Sequence, residues 1–287
     1  MLGLALLKEC VDNDVCAIAI IRPNSFGKSK LPKSNLIKVI ECDISNYKNY
    51  CPDESADCFY HLAWQGTSPQ DRNNKSIQDA NVQYTVDAVH LASRFHCKKF
   101  IGAGSQAEYG IQMKKIDAHS TPNPVSAYGH AKLIASEKCK TCCQSLNIIC
   151  IWTRIFSVYG IHDRPDSLIN YALRCAISGE KAVFSKALNK WDYLFESDAA
   201  AILLLLGKKI VNHSTFCLAS GISKPLMSYI EEIWEIVGTN KNYEFTEKLS
   251  QVNLDVDVSD LFNTIEYSPK VSFRNGIQQI ISSLTHV

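Results

Sequence analysis

No apolar run in these 287 residues is long enough to cross a bilayer: the longest, Ala199 to Leu206, falls far short of the roughly 20 residues a spanning helix needs. Charge of one sign is equally scarce. Thirty Lys and Arg stand against 29 Asp and Glu for a net charge of +1, and no block of like charges builds a field for nucleic acid or an anionic membrane. The expected partner is therefore a small molecule. Repeats and low-complexity tracts are absent, and 46% apolar with 21% charged residues excludes disordered and fibrous architectures. The apolar start, Met1 to Leu7, has no basic flank and no small-residue cleavage site before Lys8-Glu9-Cys10, so it does not read as a signal peptide.

Cysteine is plentiful but unpatterned. Twelve residues at irregular spacings, several in apolar runs such as Asn147-Ile148-Ile149-Cys150-Ile151, read as small buried hydrophobes in a reducing compartment, and the expected location is the cytoplasm. Cys139, Cys142 and Cys143 include a C-x-x-C, yet no second pair or histidine follows at ligand spacing, so no metal site is expected.

What is present is an alternation. Short β-branched runs at Val15–Ile21, Leu36–Ile40, Cys58–Leu62, Lys99–Gly102 and Ile148–Thr153 are separated by longer amphipathic stretches, which predicts an α/β fold with a parallel sheet. Ala80, Val82, Thr85, Val86, Val89 and Ala92 mark a helix over about 78–95, and another runs over about 125–146. Beyond Thr153 the pattern loosens into loops at Gly160–Pro165 and Gly179–Trp191, with helices at Ser197–Leu206 and Pro225–Val237.

Within Ser126-Ala127-Tyr128-Gly129-His130-Ala131-Lys132 a phenol and an ammonium stand four residues apart, on one helix face. A nearby ammonium favours the phenolate, so Tyr128 can pass a proton to or from a substrate hydroxyl near neutral pH. Upstream, Gly102-Ala103-Gly104-Ser105 closes a predicted strand, where α/β sites form, and Ser105 can bond the oxygen whose proton Tyr128 handles.

Other motifs follow in order: Glu41-Cys42-Asp43-Ile44, His61-Leu62-Ala63, Ser105 four residues before Tyr109-Gly110, Thr153-Arg154-Ile155-Phe156-Ser157-Val158-Tyr159-Gly160, Trp191-Asp192-Tyr193-Leu194-Phe195, and Tyr267 to Phe273. Together they resemble the extended short-chain dehydrogenase/reductases of the NAD-dependent epimerase/dehydratase family, over nearly the whole chain. The resemblance implies a Rossmann-type doubly wound parallel sheet with a smaller C-terminal substrate lobe. Residues 1–157 and about 191–214 would form the dinucleotide-binding domain, and about 158–190 and 215–287 the substrate-binding lobe.

It also implies hydride transfer between a nicotinamide cofactor and a ring carbon, C4 by expectation, of a nucleotide-linked sugar. Ser105, Tyr128 and Lys132 would be catalytic. Gly3, Arg22, Ser25, Asp43, Ile44, Leu62, Ala63 and Ile155 would meet the cofactor together with Tyr128 and Lys132. Ser105, Gln106, Ser157 and Trp191 would meet the substrate, and the two long helices would form a homodimer.

Four departures qualify this. Family members open with a strand and a G-x-x-G-x-x-G turn, whereas here Met1 falls inside that turn and Gly3 matches its last glycine. The first strand and most of the turn are therefore missing, which is expected to expose neighbouring strands and weaken cofactor binding. A start set at an internal Met explains this; the alternative is a shortened, non-catalytic nucleotide-binding or regulatory member. After the second predicted strand, Arg22 with Ser25 suits the 2′-phosphate of NADP rather than the ribose hydroxyl of NAD. Gln106 and Ala107 stand where 4,6-dehydratases carry Asp and Glu, so dehydration is disfavoured; Glu108, on an extended segment, would point to the other face. Ser157 and Trp191 replace the Asn and Arg that many nucleotide-sugar enzymes carry.

Overall fold

The expected alternation folds as parallel strands joined by helices. In a computed structural model that describes residues 1–25, 27–249 and 252–284, α1 (Leu2–Asp12) is followed by β1 (Ala17–Ile21) and β2 (Ile37–Glu41), and then by β3 (Cys58–His61), α2 (Lys75–Arg94), β4 (Lys99–Ser105), α3 (Ala127–Ser145) and β5 (Ile149–Ile155). The second half contributes β6 (Ser157–Tyr159), α4 (Leu168–Ser178), β7 (Ala182–Lys186), β8 (Lys190–Phe195), α5 (Glu196–Lys208), β9 (Ser214–Leu218), β10 (Ser223–Pro225), α6 (Leu226–Val237), β11 (Tyr243–Leu249), α7 (Ser259–Ile265) and α8 (Phe273–Leu284).

The main sheet has the order β3-β4-β5-β9, and β1 pairs with β2 in a separate parallel ribbon. Among the described residues β1 and β3 are not hydrogen-bonded to each other, although Ala17 of β1 shares an apolar cluster with Cys58 and Tyr60 of β3. The chain steps from β1 to β2 within the ribbon, and from β3 through β4 and β5 to β9 within the main sheet.

Both faces of the sheet are covered, which is why its central strands read as continuous apolar runs. Successive side chains of a strand point to opposite faces. Phe100, Cys150 and Trp152 therefore pack under α2 and α3 with Ala88, Leu91, Ala135 and Cys139, while Ile101 and Ile151 pack under α1 and α5 with Leu6, Ala199 and Leu203. A third cluster joins α4, α6 and α8 through Leu173, Ile230, Trp234 and Ile277. Asp198 on α5 ties the closing segment to it, accepting from the Tyr267 hydroxyl (2.6 Å) and from the amides of Lys270 and Val271 (2.9 Å each). No described helix is long and apolar enough to cross a membrane.

The stretch 179–191 is not a loop: it contains β7 and the start of β8. Ala182 and Phe184 face inward and Val183 outward, a period of two over too few residues to register as a strand in isolation. Its partner, β11, lies some sixty residues away in the chain, and the two pair in parallel from Tyr243 opposite Ala182.

Candidate active site

Strand β4 ends at Ser105, which caps a single 3-10 turn, Gln106–Glu108. The Ser105 hydroxyl accepts the Ala107 amide at 3.2 Å, and Glu108 reaches back to accept the Ser105 amide at 2.8 Å. This reciprocal cap corrects the expectation of an extended segment. The turn brings Glu108 back beneath the strand instead of onto the opposite face, and the Ser-x-x-Glu spacing is itself the sequence signal for it. Glu108 is fully buried, accepts the Trp152 indole N–H at 3.0 Å and pairs with the buried Arg154 Nε at 2.7 Å. Trp152 lies so close over the strand that a Cβ on Gly104 would collide with its indole, and would also stand 2.6 Å from Glu108 Oε1, so the position admits only glycine.

Ser126 begins α3, accepting the Gly129 amide at 3.1 Å. Gly129 lets the helix come down on the carbonyl of Ala107, a contact any Cβ would obstruct, and Tyr128 is thereby set beside Ser105. Burial pushes the Tyr128 phenol upward, opposed by its hydrogen bonding with Ser105 and by the charge of Arg72. The net direction is the reverse of that expected from the Tyr–Lys spacing.

Lys132, one turn on, has its Nζ 5.8 Å from the Tyr128 ring centroid and donates to the Ala103 carbonyl at 2.6 Å. Burial brings its pKa down to about 7. Because an unfolded lysine keeps its proton up to about 10.5, the folded chain binds this proton more weakly, and its contribution to stability rises as pH climbs from about 7 towards 10.5. Lys132→Met is expected to remove that slope, and so to stabilise the fold at pH 7 by on the order of a few kcal/mol, an advantage that shrinks as the pH approaches 10. Paired denaturant melts across that range measure it; a constant difference between the two proteins would refute the depressed value.

Two residues of this site escaped the sequence reading. Trp64 sits with its ring 3.6 Å from Lys132 Nζ and edge-on to Tyr128, at 6.0 Å and 84°. Arg72 lays its guanidinium 4.5 Å from the Tyr128 ring centroid. Both belong to the segment between β3 and α2, which is fastened to α2 by side chains. Asn81 bonds both the amide and the carbonyl of Gln65 at 2.9 Å, and Gln78 donates to the Gly66 and Asp71 carbonyls at 2.8 and 3.1 Å. Those two buried amides at helical spacing were the available signal.

The remaining expected residues distribute as follows. Gly3 lies in the first turn of α1, its open face towards Leu62 at 4.0 Å. Arg22 is exposed just after β1, and the Ser25 hydroxyl accepts the Gly27 amide at 3.3 Å. Asp43, after β2, caps the turn 44–49 through the amide (2.9 Å) and hydroxyl (2.7 Å) of Ser45, which hold its carboxyl below the usual range. Ile44 is buried in the core under α2. Leu62 is half-buried and Ala63 exposed after β3, and Ile155 lies beside Ser105 in the strand register. Gln106 is half-buried on the 3-10 turn.

Arg22, Asp43, Leu62, Ala63 and Ser105 thus lie at the carboxyl ends of β1, β2, β3 and β4. That end of a doubly wound sheet is where dinucleotides bind, and Arg22 and Ser105 are the side-chain donors among these residues. His61 is neither donor nor ligand in it: buried against Phe100 and 3.3 Å from the Thr85 hydroxyl, it has its pKa pulled down to about 3 by desolvation and stays neutral.

Ser157 lies in β6 opposite Tyr193 of β8, and Trp191 packs against Tyr193 with its indole N–H buried and unpartnered. A cavity of about 660 Å³ opens elsewhere, between α3, β9 and α7, with His119, Lys140, His213 and Asp260 on its walls.

Residues 1–217 match the model of the NAD dependent epimerase/dehydratase family. An uncharacterized UDP-glucose epimerase of Bacillus subtilis is 24% identical over 81% of this chain and 75% of its own length. The UDP-glucuronic acid 4-epimerase of Bacillus cereus, solved with UDP-glucuronic acid and NAD, superposes with a TM-score of 0.84 at 20% identity, covering 99% of this chain and 96% of that one. The UDP-glucose 4-epimerase of Thermotoga maritima, solved with UDP-glucose, gives 0.86 at 18% identity over 100% and 96%. With its doubly wound fold, its Ser-Tyr-Lys group and the match over residues 1–217, this chain belongs to the NAD-dependent epimerase/dehydratase family of extended short-chain dehydrogenase/reductases.

Proposed function

We propose that the protein transfers hydride between a nicotinamide dinucleotide and C4 of a nucleotide-linked sugar, as an epimerase or a ketoreductase. The observation that carries this reading is the convergence of Ser105, Tyr128 and Lys132 at the carboxyl end of β4. The phenol moves the proton of the sugar hydroxyl, Ser105 bonds the same oxygen, and Lys132 orients the cofactor ribose. The nicotinamide supplies or accepts the hydride. The solved relatives described above hold UDP-sugars, and one holds NAD, in line with this substrate class.

Dehydration is the less favoured chemistry. Gln106 and Ala107 offer no acid or base, and Glu108, the nearest carboxylate, is committed to Arg154, Trp152 and the Ser105 amide. For the cofactor, Arg22 and Ser25 favour the 2′-phosphate of NADP, while the Bacillus cereus structure contains NAD. We assign the cofactor to residues 1–157 with 191–214, and the sugar to a lobe of 158–190 and 215–287, at whose borders Ser157 and Trp191 stand; α2 and α3 offer the faces for a homodimer.

Calorimetry with NADPH and NADH, followed by NMR of UDP-glucose, UDP-glucuronic acid and their 4-keto forms, tests the reading. Inversion or reduction at C4 is expected, with tighter binding of NADPH. If neither dinucleotide binds, the non-catalytic alternative takes its place.

A further inference from the structure

Two cations face the Tyr128 ring, and the Tyr-x-x-x-Lys pattern reveals only Lys132. That lysine is engaged elsewhere as well: it is buried, bonded to the Ala103 carbonyl and covered by the Trp64 ring. Burial also weakens its hold on the proton. Arg72 differs on each count. A guanidinium does not lose its proton in a protein. Its Cζ is 4.5 Å from the ring centroid against 5.8 Å for Lys132 Nζ, and the residue is half-buried, where screening by water is incomplete.

The backbone fixes this placement. The Arg72 carbonyl accepts the Tyr128 amide at 2.9 Å, and the Asn73 side chain accepts the Ala127 amide at 3.3 Å, so the first turn of α3 and the 72–73 segment are joined twice. The carboxylate next to Arg72, Asp71, is engaged by the Ser68 hydroxyl at 2.8 Å. The groups acting on the phenol are the Ser105 hydroxyl from β4, Glu108 from the 3-10 turn, Lys132 from α3 and Arg72 from the segment before α2; Ser105 and Arg72 favour the phenolate and Glu108 opposes it.

We propose that Arg72 is a positioning residue for Tyr128, its guanidinium holding the ring and stabilising the phenolate, so that the segment before α2 adds a second positive charge to that of Lys132. This rests on the reading of Tyr128 as the proton-transfer group. It makes the competence of the site depend on a segment that carries none of the family's catalytic motif.

The test compares the wild type with Arg72→Gln and Arg72→Lys. The ultraviolet difference titration of the Tyr128 phenol, taken against the matching Tyr128→Phe proteins, needs neither substrate nor turnover. Arg72→Gln is expected to raise the titration by about one pH unit, and Arg72→Lys to recover most of it. In the kinetic assay the acid limb of kcat/KM should move up by the same amount, with about a tenfold loss near pH 7. An unshifted titration in Arg72→Gln, with melting unchanged, overturns the proposal, as does a lower kcat with an unmoved pH profile. If no nucleotide sugar turns over in the wild type, the functional reading fails, and the difference titration still decides the role of Arg72.

Discussion

Tyr128→Phe is expected to lower turnover of the nucleotide sugar by about 10²–10⁴-fold, while cofactor affinity and melting temperature stay close to those of the wild type. The substitution removes one oxygen and keeps the ring. Phenylalanine retains the edge contact with Trp64 and a face for Arg72 to cover, so the packing around the first turn of α3 survives. What is lost is the hydroxyl that bonds Ser105 and that we propose exchanges a proton with the sugar. Single-turnover measurement of nicotinamide absorbance, beside calorimetry of cofactor binding, separates the chemical step from binding. Turnover retained within tenfold would remove Tyr128 from the mechanism.

The largest stability effect is expected at Glu108. Glu108→Ala leaves the Arg154 charge buried without its partner and strips acceptors from the Trp152 indole and the Ser105 amide. Breaking one side of a buried pair typically costs about 3–5 kcal/mol. For a chain of this size that corresponds to a fall in Tm on the order of 10 °C. Glu108→Leu combined with Arg154→Met should recover much of this, because no charge is then left unpaired. The double variant should still be catalytically impaired, since Ser105 loses the carboxylate that fixes its backbone. Denaturant melts of the three proteins decide the matter: a loss below about 1 kcal/mol for Glu108→Ala would mean that Arg154 finds another acceptor or water.

Much of this architecture was legible without coordinates. Strands β1 to β5 and helices α2 and α3 lie within a few residues of the stretches marked by apolar periodicity, because a sheet covered on both faces makes each central strand an uninterrupted apolar run. The proposed catalytic group was legible because Tyr128 and Lys132 are neighbours on one helix and Ser105 closes a strand, relations that sequence spacing encodes directly. Less readable were β6 to β11: β7 and β8 are short, and their partners β11, β6 and β10 come from distant parts of the chain. Such pairing leaves no local period to detect.

The sequence alone determined the family, the order of the elements from β1 to β5 and the proposed proton-transfer group, because these depend on residue type and near-neighbour spacing. Only the tertiary structure decided how those groups are charged and held. Glu108 turned inward to Arg154 because a 3-10 turn replaced an extended segment, Lys132 lost proton affinity because it is buried, and Arg72 came to lie on Tyr128 through a backbone bond across more than fifty residues. Burial and through-space charge set proton affinities, and neither has a period along the chain.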